Sequence, residues 1–404
     1  MVRVLARVLA RSLAIVLCVA MTGAGANFID VPAGAESGAQ AQVQGDSRAG
    51  YVGDAACLSC HADRVRSFHQ TAHFLTSQLP DERTILGSFA AGDNILKTAN
   101  HELYFRMEKQ VTDGKTEFLQ TAVVGGPSDT HERSEAIAFV VGSGEKGQTY
   151  LYWDNDLLFQ LPVSYWKDVG WVNSPGYRDG VANFDRPIIP RCLECHATWF
   201  ASLAPPVNRF SDAGFVLGIQ CEKCHGPGRQ HIEAERANPG AAVSAILNPA
   251  RFSRERQMDL CAWCHAGQGD ALKPVFSYVP GEPLEKYIRL PQPDPNAVPD
   301  VHDNQVAMLR MSRCFRESGM TCVTCHDPHA VQHDLAAYSQ RCMSCHRPDS
   351  AIFRKADHPV TNNCIDCHMP RLKTNLIVFN WQGKTLRSEV RTHWIKVYAT
   401  VASR

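Results

Sequence analysis

The chain has 404 residues, 16 cysteines and 17 histidines, and its 41 Lys and Arg residues are balanced by 41 Asp and Glu residues. A formal net charge of zero gives no reason to expect nucleic acid or an anionic membrane surface as a partner. The length alone suggests two or three domains, but so many cysteines require their own explanation before that estimate is used.

The first 26 residues have the features of a secretory signal peptide. Three arginines precede an apolar run that starts at Ser12, and Ala24-Gly25-Ala26 provides a small-residue cleavage site. The run is too short to span a bilayer, and no later stretch is apolar enough for a transmembrane helix. An uncleaved anchor is the alternative for this segment. Residues 27–50, rich in Ala, Gly, Gln and Ser, are expected to form a flexible lead-in.

A five-residue phrase, Cys-x-x-Cys-His, then occurs seven times. Its spacing is that of covalent haem c attachment, in which two thiols bond the porphyrin edge and the adjacent histidine ligates iron. One copy would also suit a zinc knuckle or a dithiol redox site, but neither zinc nor a disulfide framework needs a histidine after every pair. We therefore predict seven covalently bound haem c groups. In chain order, phrases 1 to 7 contain Cys57, Cys60 and His61; Cys192, Cys195 and His196; Cys221, Cys224 and His225; Cys261, Cys264 and His265; Cys322, Cys325 and His326; Cys342, Cys345 and His346; and Cys364, Cys367 and His368.

Two cysteines lie outside the phrases. Cys18 belongs to the predicted signal peptide, so Cys314 is the unpaired thiol of the mature chain. It is expected to be a small buried residue packed near the fifth haem, and the alternative is a thiolate close to an open iron.

The first half of the mature chain divides into a haem segment and a β-rich insertion. Residues 51–101 carry phrase 1 and a helix predicted over 64–77, with His69 and His73 on one face. Residues 102–182 carry no phrase, and short apolar runs separated by glycine-containing turns predict antiparallel β structure, clearest from about 102 to 166. The runs are Leu103–Met107, Phe118–Val124, Ala138–Val141, Thr149–Trp153 and Leu157–Leu161.

The second half carries six phrases. Residues 183–270 hold phrases 2 to 4, with Ser253 as the predicted N-cap of a helix that runs into phrase 4. Residues 271–303 are rich in proline and predict an extended surface crossover. Residues 304–404 hold phrases 5 to 7 and a helix predicted over 304–317. Because haems would replace much of the aliphatic core, we expect a mainly α and irregular, haem-packed fold with the β insertion.

Every iron has enough histidines for a second axial ligand. Removing the seven phrase histidines from the 17 leaves ten for seven distal positions. Methionine ligation is therefore not required, although the nine methionines do not exclude it.

Nine short stretches resemble the sequences of a known protein family. They are Val141–Gly144, Tyr150–Trp153, Gln160–Trp166, Asn173–Tyr177, Asn183–Pro187, Cys224–Gly228, Asn248–Ala250, Ser277–Pro283 and Cys367–Pro370. With them, most of the chain after Tyr51 resembles the exported multihaem c-type cytochromes related to the tetrahaem cytochrome c and hydroxylamine oxidoreductase superfamily. The resemblance implies an architecture more than a particular reaction.

Carried over position by position, the resemblance implies six distal ligands and leaves the seventh iron without a clear candidate. The six are His73, His231, His302, His329, His358 and His393. Of the remaining His69, His101, His131 and His333, we expect His69 or His131 to serve the seventh iron. His329 is only three residues beyond His326, too near to reach the far side of that haem, so we expect it to serve a neighbouring one.

Two functions fit these observations. Seven haems in a chain of this length lie within tunnelling distance of one another, which favours a periplasmic electron carrier between redox partners, quinol-linked or other cytochromes. The alternative is a multihaem oxidoreductase that acts on a small nitrogen or sulfur species at one open iron. No phrase has the lysine that replaces the proximal histidine in pentahaem nitrite reductases, and no tyrosine is assignable to the cross-link of hydroxylamine oxidoreductase. The sequence does not indicate an oligomeric state.

Overall fold

All seven phrases lie in the residues that the computed structural model describes. These residues are 50–126, 129–203, 208–240, 245–292, 294, 297–350, 353 and 362–398. The predicted signal peptide, nearly all of the lead-in and the predicted ligand His358 lie outside them. Within these ranges, no helix is both long and apolar enough to cross a membrane.

The expectation of a mainly α fold is wrong. The structure is 26% helical and 30% strand, and the strands form several antiparallel sheets. The helices are short because a phrase needs only one helical turn to bring two thiols and a histidine to the same face, at positions i, i+3 and i+4. A haem phrase therefore does not predict a long helix.

Nine α-helices and five short 3-10 turns occur in the described ranges. The helices are α1 (Leu58–Phe68), α2 (Pro190–His196), α3 (Cys221–His225), α4 (Arg229–Ala237), α5 (Arg254–His265), α6 (Gln305–Met311), α7 (Arg313–Arg316), α8 (Leu335–Met343) and α9 (Cys364–His368). The 3-10 turns are Asp54–Ala56, Phe74–Thr76, Pro249–Arg251, Leu284–Lys286 and Cys322–Thr324.

Two of the predicted helices have different ends, and one has the predicted cap. The helix predicted over 64–77 starts earlier and ends before His69, so His69 and His73 lie in the turn that follows α1. The helix predicted over 304–317 is broken at Ser312, which has extended dihedral angles. The N-cap at Ser253 is confirmed, because its side chain accepts a hydrogen bond from the Arg256 backbone N–H at 3.3 Å.

The strands extend well beyond the predicted insertion. They are β1 (Ser77–Gln78), β2 (Ile95–Lys97), β3 (Leu103–Thr112), β4 (Lys115–Gly126), β5 (Asp129–Ala136), β6 (Phe139–Val141), β7 (Gly147–Asp154), β8 (Leu157–Gln160), β9 (Val163–Trp166), β10 (Gly170–Asn173), β11 (Arg186–Pro187), β12 (Ala197–Ser202), β13 (Phe210–Leu217), β14 (Asp270–Ala271), β15 (Ile288–Arg289), β16 (Arg371–Trp381) and β17 (Lys384–Arg391).

Two antiparallel sheets form the β-rich part, and each of the five predicted runs overlaps one of their strands. One sheet has the order β2-β3-β4-β5; the other has the order β1-β6-β7-β8-β11, with β9 and β10 attached through β7. The β3–β4 hairpin turns at Asp113 and Gly114, whose φ angles of 51° and 76° are those of a tight two-residue hairpin.

Two clusters of apolar side chains form the core of these sheets. Phe105, Tyr150 and Trp171 are buried in the first, which includes no phrase residue. The Trp171 ring lies so close to Gly87 that a Cβ at that position would come within 2.1 Å of it. In the second cluster, Leu158 packs with Leu193 of phrase 2. The β-rich part therefore has one core of its own and shares a second with the helix of phrase 2.

Three two-stranded pairs, which the sequence analysis did not predict, lie inside the haem segments. They are β12–β13, β14–β15 and β16–β17. β12 follows His196 directly, and the β16–β17 hairpin begins three residues after His368 and ends two residues before His393. These pairs fix the positions of phrase residues and of a predicted distal ligand.

Candidate haem-binding site

Each phrase adopts a helical turn. Phrases 2, 3, 4 and 7 lie in α2, α3, α5 and α9. Phrase 1 begins α1, phrase 5 begins with the 3-10 turn Cys322–Thr324, and phrase 6 begins at the end of α8. Outside regular helices, the histidine N–H still bonds the carbonyl of the first cysteine, at 2.9 Å in phrases 5 and 6. Both thiols and the imidazole of a phrase therefore face the same side, as attachment to one porphyrin requires.

The Nδ1 atoms of four phrase histidines make hydrogen bonds within the protein. A carbonyl only accepts, so a histidine bonded to one carries its proton on Nδ1 and leaves Nε2 unprotonated in the neutral ring. An unprotonated Nε2 is what an iron needs from an axial histidine. The bonds are His196 Nδ1 to Thr76 Oγ1 (2.9 Å), His225 Nδ1 to the Leu247 carbonyl (2.9 Å), His326 Nδ1 to Tyr338 Oη (3.2 Å) and His368 Nδ1 to the Lys396 carbonyl (3.0 Å).

Burial keeps several of these imidazoles neutral. It lowers the pKa of His196, His265 and His393 to about 4, with nearby histidines adding to the effect. At pH 7 these rings are therefore uncharged, which is the state that ligates a metal.

Four phrase histidines each face a predicted distal histidine from a remote part of the chain. The pairs are His61 with His231 at 6.4 Å, His265 with His73 at 6.1 Å, His225 with His329 at 6.0 Å and His326 with His393 at 6.2 Å between ring centres. His302 lies near a fifth phrase histidine, His196. Burial lowers the pKa of His196 most, and the nearby His302 lowers it further. Five of the six predicted distal histidines thus lie beside a phrase histidine.

The spacing of these pairs fits an iron between the two rings. Because a metal–nitrogen bond to histidine is about 2 Å and a ring centre lies roughly 1 Å beyond its nitrogen, two imidazoles on opposite sides of one iron have centres roughly 6 Å apart. In addition, His231 and His393 each bury an Nδ1 atom that meets no hydrogen-bond partner within the described ranges. The residues present therefore fit haem c, which would supply a one-electron iron centre at each phrase.

Ser312 explains how the chain end brings His393 to phrase 5. Its side chain donates to the His393 carbonyl at 2.9 Å and accepts from the Ile395 N–H at 2.7 Å. The same residue is the break between α6 and α7, so the helix predicted there is interrupted where it binds the C-terminal segment.

The four histidines without a predicted partner have other contacts or are exposed. His69 makes a hydrogen bond with Asp54 and stacks on Phe74 at 3.9 Å, and His131 lies on β5 with an 80% exposed side chain. His333 lies 3.4 Å from Glu145 with a 66% exposed side chain, and His101 is exposed in the turn before β3. The structure brings neither His69 nor His131 to a phrase histidine within the described ranges.

Thiols of different phrases lie next to each other. Hydrogen bonding to a thiol of another phrase lowers the pKa of Cys57, Cys195 and Cys322, whose partners are Cys221, Cys264 and Cys261 respectively. Electrostatic interactions also join Cys224 with Cys261, Cys325 with Cys345, and Cys342 with Cys364, the last with a side-chain hydrogen bond in addition. The neighbouring phrases are therefore 1 and 3, 3 and 4, 2 and 4, 4 and 5, 5 and 6, and 6 and 7.

Glu222, a middle residue of phrase 3, fixes phrase 3 against the start of phrase 1. Its carboxylate is 3% exposed and accepts hydrogen bonds from the backbone N–H groups of Val52 (2.9 Å), Gly53 (2.8 Å) and Gly228 (2.8 Å). Buried carboxylates need such donors because their desolvation is costly. The sequence analysis missed this role, since a charged residue at a middle position of a phrase carries no spacing or periodic signal.

Phrase 2 has a similar buried carboxylate. Glu194 pairs with Arg191 at 2.6 Å and also accepts the Phe276 N–H at 2.6 Å. Lys223, the other middle residue of phrase 3, is buried nearby, and burial lowers its pKa. These three charged residues lie where phrases 2, 3 and 4 meet, and sequence reasoning missed all of them.

Cys314 lies in α7, half-buried, and burial raises the pKa of its thiol. It interacts electrostatically with Cys325 of phrase 5 and Cys345 of phrase 6. Of the nearby arginines, Arg313 is exposed and pairs with Glu317 at 2.7 Å. Cys314 is therefore near the fifth phrase, as expected, but is not fully buried.

Comparisons with known proteins identify cytochromes and a reductase that this chain resembles. Residues 179–226 match the family described as cytochrome c554 and c-prime. The dissimilatory sulfite reductase MccA of Wolinella succinogenes is 26% identical over 196 residues, which are 38% of this chain and 22% of that protein. The multiheme cytochrome MtrA of Shewanella baltica is 27% identical over 194 residues, 43% of this chain and 56% of that protein. The chain thus covers less than two thirds of the length of either relative.

The fold also has a solved counterpart. The crystal structure of the outer cell wall cytochrome OcwA matches with a TM-score of 0.50 at 18% identity, over 86% of this chain and 79% of that one. These likenesses are to a cytochrome family over part of the chain, to a multiheme cytochrome and, in fold, to an outer cell wall cytochrome. The relation to the tetrahaem cytochrome c and hydroxylamine oxidoreductase superfamily stays a prediction.

Proposed function

We propose that this chain is an exported, seven-haem c-type cytochrome that conducts electrons along a row of mostly bis-histidine haems. The observation that supports it most is the set of four histidine pairs with ring centres 6.0 to 6.4 Å apart. Each pair combines a phrase histidine with a remote one, which is the arrangement that a low-spin iron requires on its two sides.

The neighbouring thiols suggest the route of the electrons. Contacts between phrases follow the order 1, 3, 4, 5, 6, 7, with phrase 2 attached beside phrase 4. Adjacent attachment points place neighbouring haems close together, and close haems exchange electrons without any further catalytic group. The route is therefore a row with one side branch.

The ends of this row are its most exposed parts. Cys60 of phrase 1, Cys345 of phrase 6 and Cys367 of phrase 7 are exposed, whereas the other phrase thiols are partly buried. Redox partners, which we propose to be quinol-linked or other cytochromes, would exchange electrons at these ends. Export would depend on residues 1–26, which act before the mature chain takes up haem.

Intact-mass analysis of the exported protein tests the haem number. The expected mass is that of the chain without residues 1–26 plus seven haems. A Cys192→Ala, Cys195→Ala double variant should lose one haem, and the matched Cys314→Ala variant should lose none. A mass equal to the bare polypeptide, or zinc in place of iron, would contradict the proposal.

The number of histidines available as distal ligands favours a second function. Five of the ten non-phrase histidines lie beside phrases 1 to 5, and four have other contacts or are exposed. Only His358, which lies outside the described residues, is left for the irons of phrases 6 and 7. Under the proposed ligation, one of these two irons has no histidine on its distal side.

Such an iron would be a site for a small nitrogen or sulfur species. An open cavity of about 550 Å³ lies beside phrases 5 and 6, lined by Thr324, Ala337, Gln340, Arg341 and Ser344. MccA, similar over part of its length, is named a sulfite reductase. Carbon monoxide binding by the reduced protein, with turnover of nitrite, hydroxylamine, sulfite or tetrathionate, would support an enzyme. Seven low-spin irons that bind no added ligand would rule it out.

A further inference from the structure

Lys223 lies in an aromatic pocket inside the protein. Lys223 is a middle residue of phrase 3 and is 6% exposed. The ammonium lies 4.0 Å from the centre of the Trp263 ring and 4.7 Å from that of Phe276, and it donates to the Thr198 carbonyl at 3.4 Å. Aromatic faces attract a cation most strongly when water is excluded, so the pocket is built for a positive charge.

Lys223 does not have a carboxylate to itself. The carboxylate that acts on it is Glu194, but Glu194 is already paired with Arg191 at 2.6 Å and has its second oxygen on the Phe276 N–H. Arg191 is itself buried, donates to the Gln268 carbonyl at 2.8 Å and also interacts electrostatically with Asp303. Among the ion pairs of the described residues, the Lys223 ammonium is therefore the cation of this region that no carboxylate contacts directly.

The Lys223 ammonium lies at the meeting point of three phrases. Lys223 interacts electrostatically with Cys195 of phrase 2, Cys264 of phrase 4 and Cys224 of phrase 3. Cys195 and Cys264 also contact each other. In the proposed electron route, this is the place where the side branch joins the row.

We infer that Lys223 raises the reduction potentials of the haems at phrases 2, 3 and 4, so that electrons reside preferentially at this junction. Reduction adds one electron to an iron, and a buried positive charge nearby stabilises the added negative charge because the surroundings screen it poorly. Lys223 therefore acts on the nearby haems through its charge and is not an iron ligand. The inference rests on the proposed haem attachment.

The test is a spectroelectrochemical titration of the purified holoprotein and three variants. In Lys223→Met, which keeps the side-chain length but removes the charge, we expect at least one transition to move to lower potential. The expected change is roughly tenfold in the ferrous-to-ferric ratio at a fixed electrode potential, or 59 mV for one electron. Lys223→Arg, which keeps the charge, should titrate close to the parent protein.

Lys273→Met is the matched control. Lys273 also lies over an aromatic ring, that of Tyr287 at 4.1 Å, but it is exposed, so its removal should leave every potential unchanged. If Lys223→Met does not fold, Glu194→Gln gives a second test, because loss of the carboxylate should move the potentials upward. Unchanged potentials in a variant with full haem content would overturn the inference, as would equal shifts in Lys223→Met and Lys223→Arg. A haem content below seven in the parent would instead contradict the proposed function.

Discussion

His225 and His329 face each other with ring centres 6.0 Å apart, although His329 is only three residues beyond His326 of phrase 5. The turn is fixed at both ends, because the His329 N–H donates to Asp327 Oδ1 at 2.9 Å and Ser67 Oγ donates to the His329 carbonyl at 2.7 Å. A histidine of one phrase's own loop is therefore presented to a different phrase.

Replacing His329 by alanine should convert one haem from low-spin to high-spin. The iron of phrase 3 would lose its second axial nitrogen, whereas the iron of phrase 5 would keep His393. Electron paramagnetic resonance of the oxidised protein should show one new high-spin signal, and the reduced protein should bind carbon monoxide. His333→Ala, a nearby substitution of an exposed histidine, should leave the spectrum unchanged. An all-low-spin His329→Ala protein would show that the pairing is not a ligation.

Removal of the Tyr338 hydroxyl should raise the potential of the haem at phrase 5. Tyr338 Oη lies 3.2 Å from His326 Nδ1 and donates its own proton to the Gln332 carbonyl at 3.4 Å, so it is the acceptor for an Nδ1 proton. Such a bond makes the imidazole a stronger donor that favours ferric iron. In a redox titration of Tyr338→Phe, we expect the ferrous-to-ferric ratio at a fixed electrode potential to rise up to roughly tenfold. This corresponds to an increase of about 59 mV in the reduction potential of the haem at phrase 5. Tyr398→Phe, whose hydroxyl bonds only the Trp394 carbonyl among described contacts, is the control. A shift of the same size in both variants would contradict the assignment.

Glu222→Gln should destabilise the folded protein by about 1–3 kcal/mol, because a neutral amide oxygen cannot replace a buried carboxylate that accepts three backbone N–H groups. Denaturant unfolding, followed by absorbance of the haems, measures the change. Glu233→Gln, in the exposed surface of α4, should have almost no effect. An unchanged unfolding midpoint in Glu222→Gln would mean that the carboxylate does not hold phrases 1 and 3 together.

Low pH should destabilise the packing of phrase 7 against the protein. Hydrogen bonds from Asn363 and then Arg391 lower the pKa of Asp366, so its carboxylate adds stability above the unfolded pKa of about 3.9, which is lost as the pH falls through the lower folded pKa. The side chain is 47% exposed, so the contribution is below about 1 kcal/mol.

Asp366→Asn should accordingly lower the free energy of unfolding at pH 7, with the difference from the parent vanishing at low pH. Asp349→Asn, which removes a more exposed carboxylate 3.6 Å from Arg347, is the comparison. If Asp366→Asn and the parent still differed in free energy of unfolding below the folded pKa of Asp366, the effect would come from packing and not from charge.

The sequence was most informative where chemistry imposes a fixed spacing. Cys-x-x-Cys-His needs one helical turn, and all seven copies form one. The distal histidines have no such spacing, since each depends on which remote segment passes beside a phrase. Only the resemblance to a family suggested His73 or His393, and the structure then placed them beside His265 and His326.

The fold class was less predictable because phrases say little about the chain between them. Cys221–His225 is a helix of five residues, and only residues 226–228 separate it from α4. The strands at Ala197–Ser202 and Phe210–Leu217 pair with irregular register, so they lack the clean alternation that marks a strand in the sequence. The roles of Glu222 and Lys223 depend on tertiary contacts that no local pattern records.

The pairing of His326 with His393 also has a consequence for how the protein matures. Under the proposed ligation, the second ligand of phrase 5 follows all seven phrases in the chain, and that of phrase 3 follows phrase 5. Thiol attachment can proceed phrase by phrase, but the irons of phrases 3 and 5 would acquire their second ligands only after later parts of the polypeptide are in place. Such long-range closures slow folding, and a chain shortened before His393 would lose a ligand in its middle, not at its end.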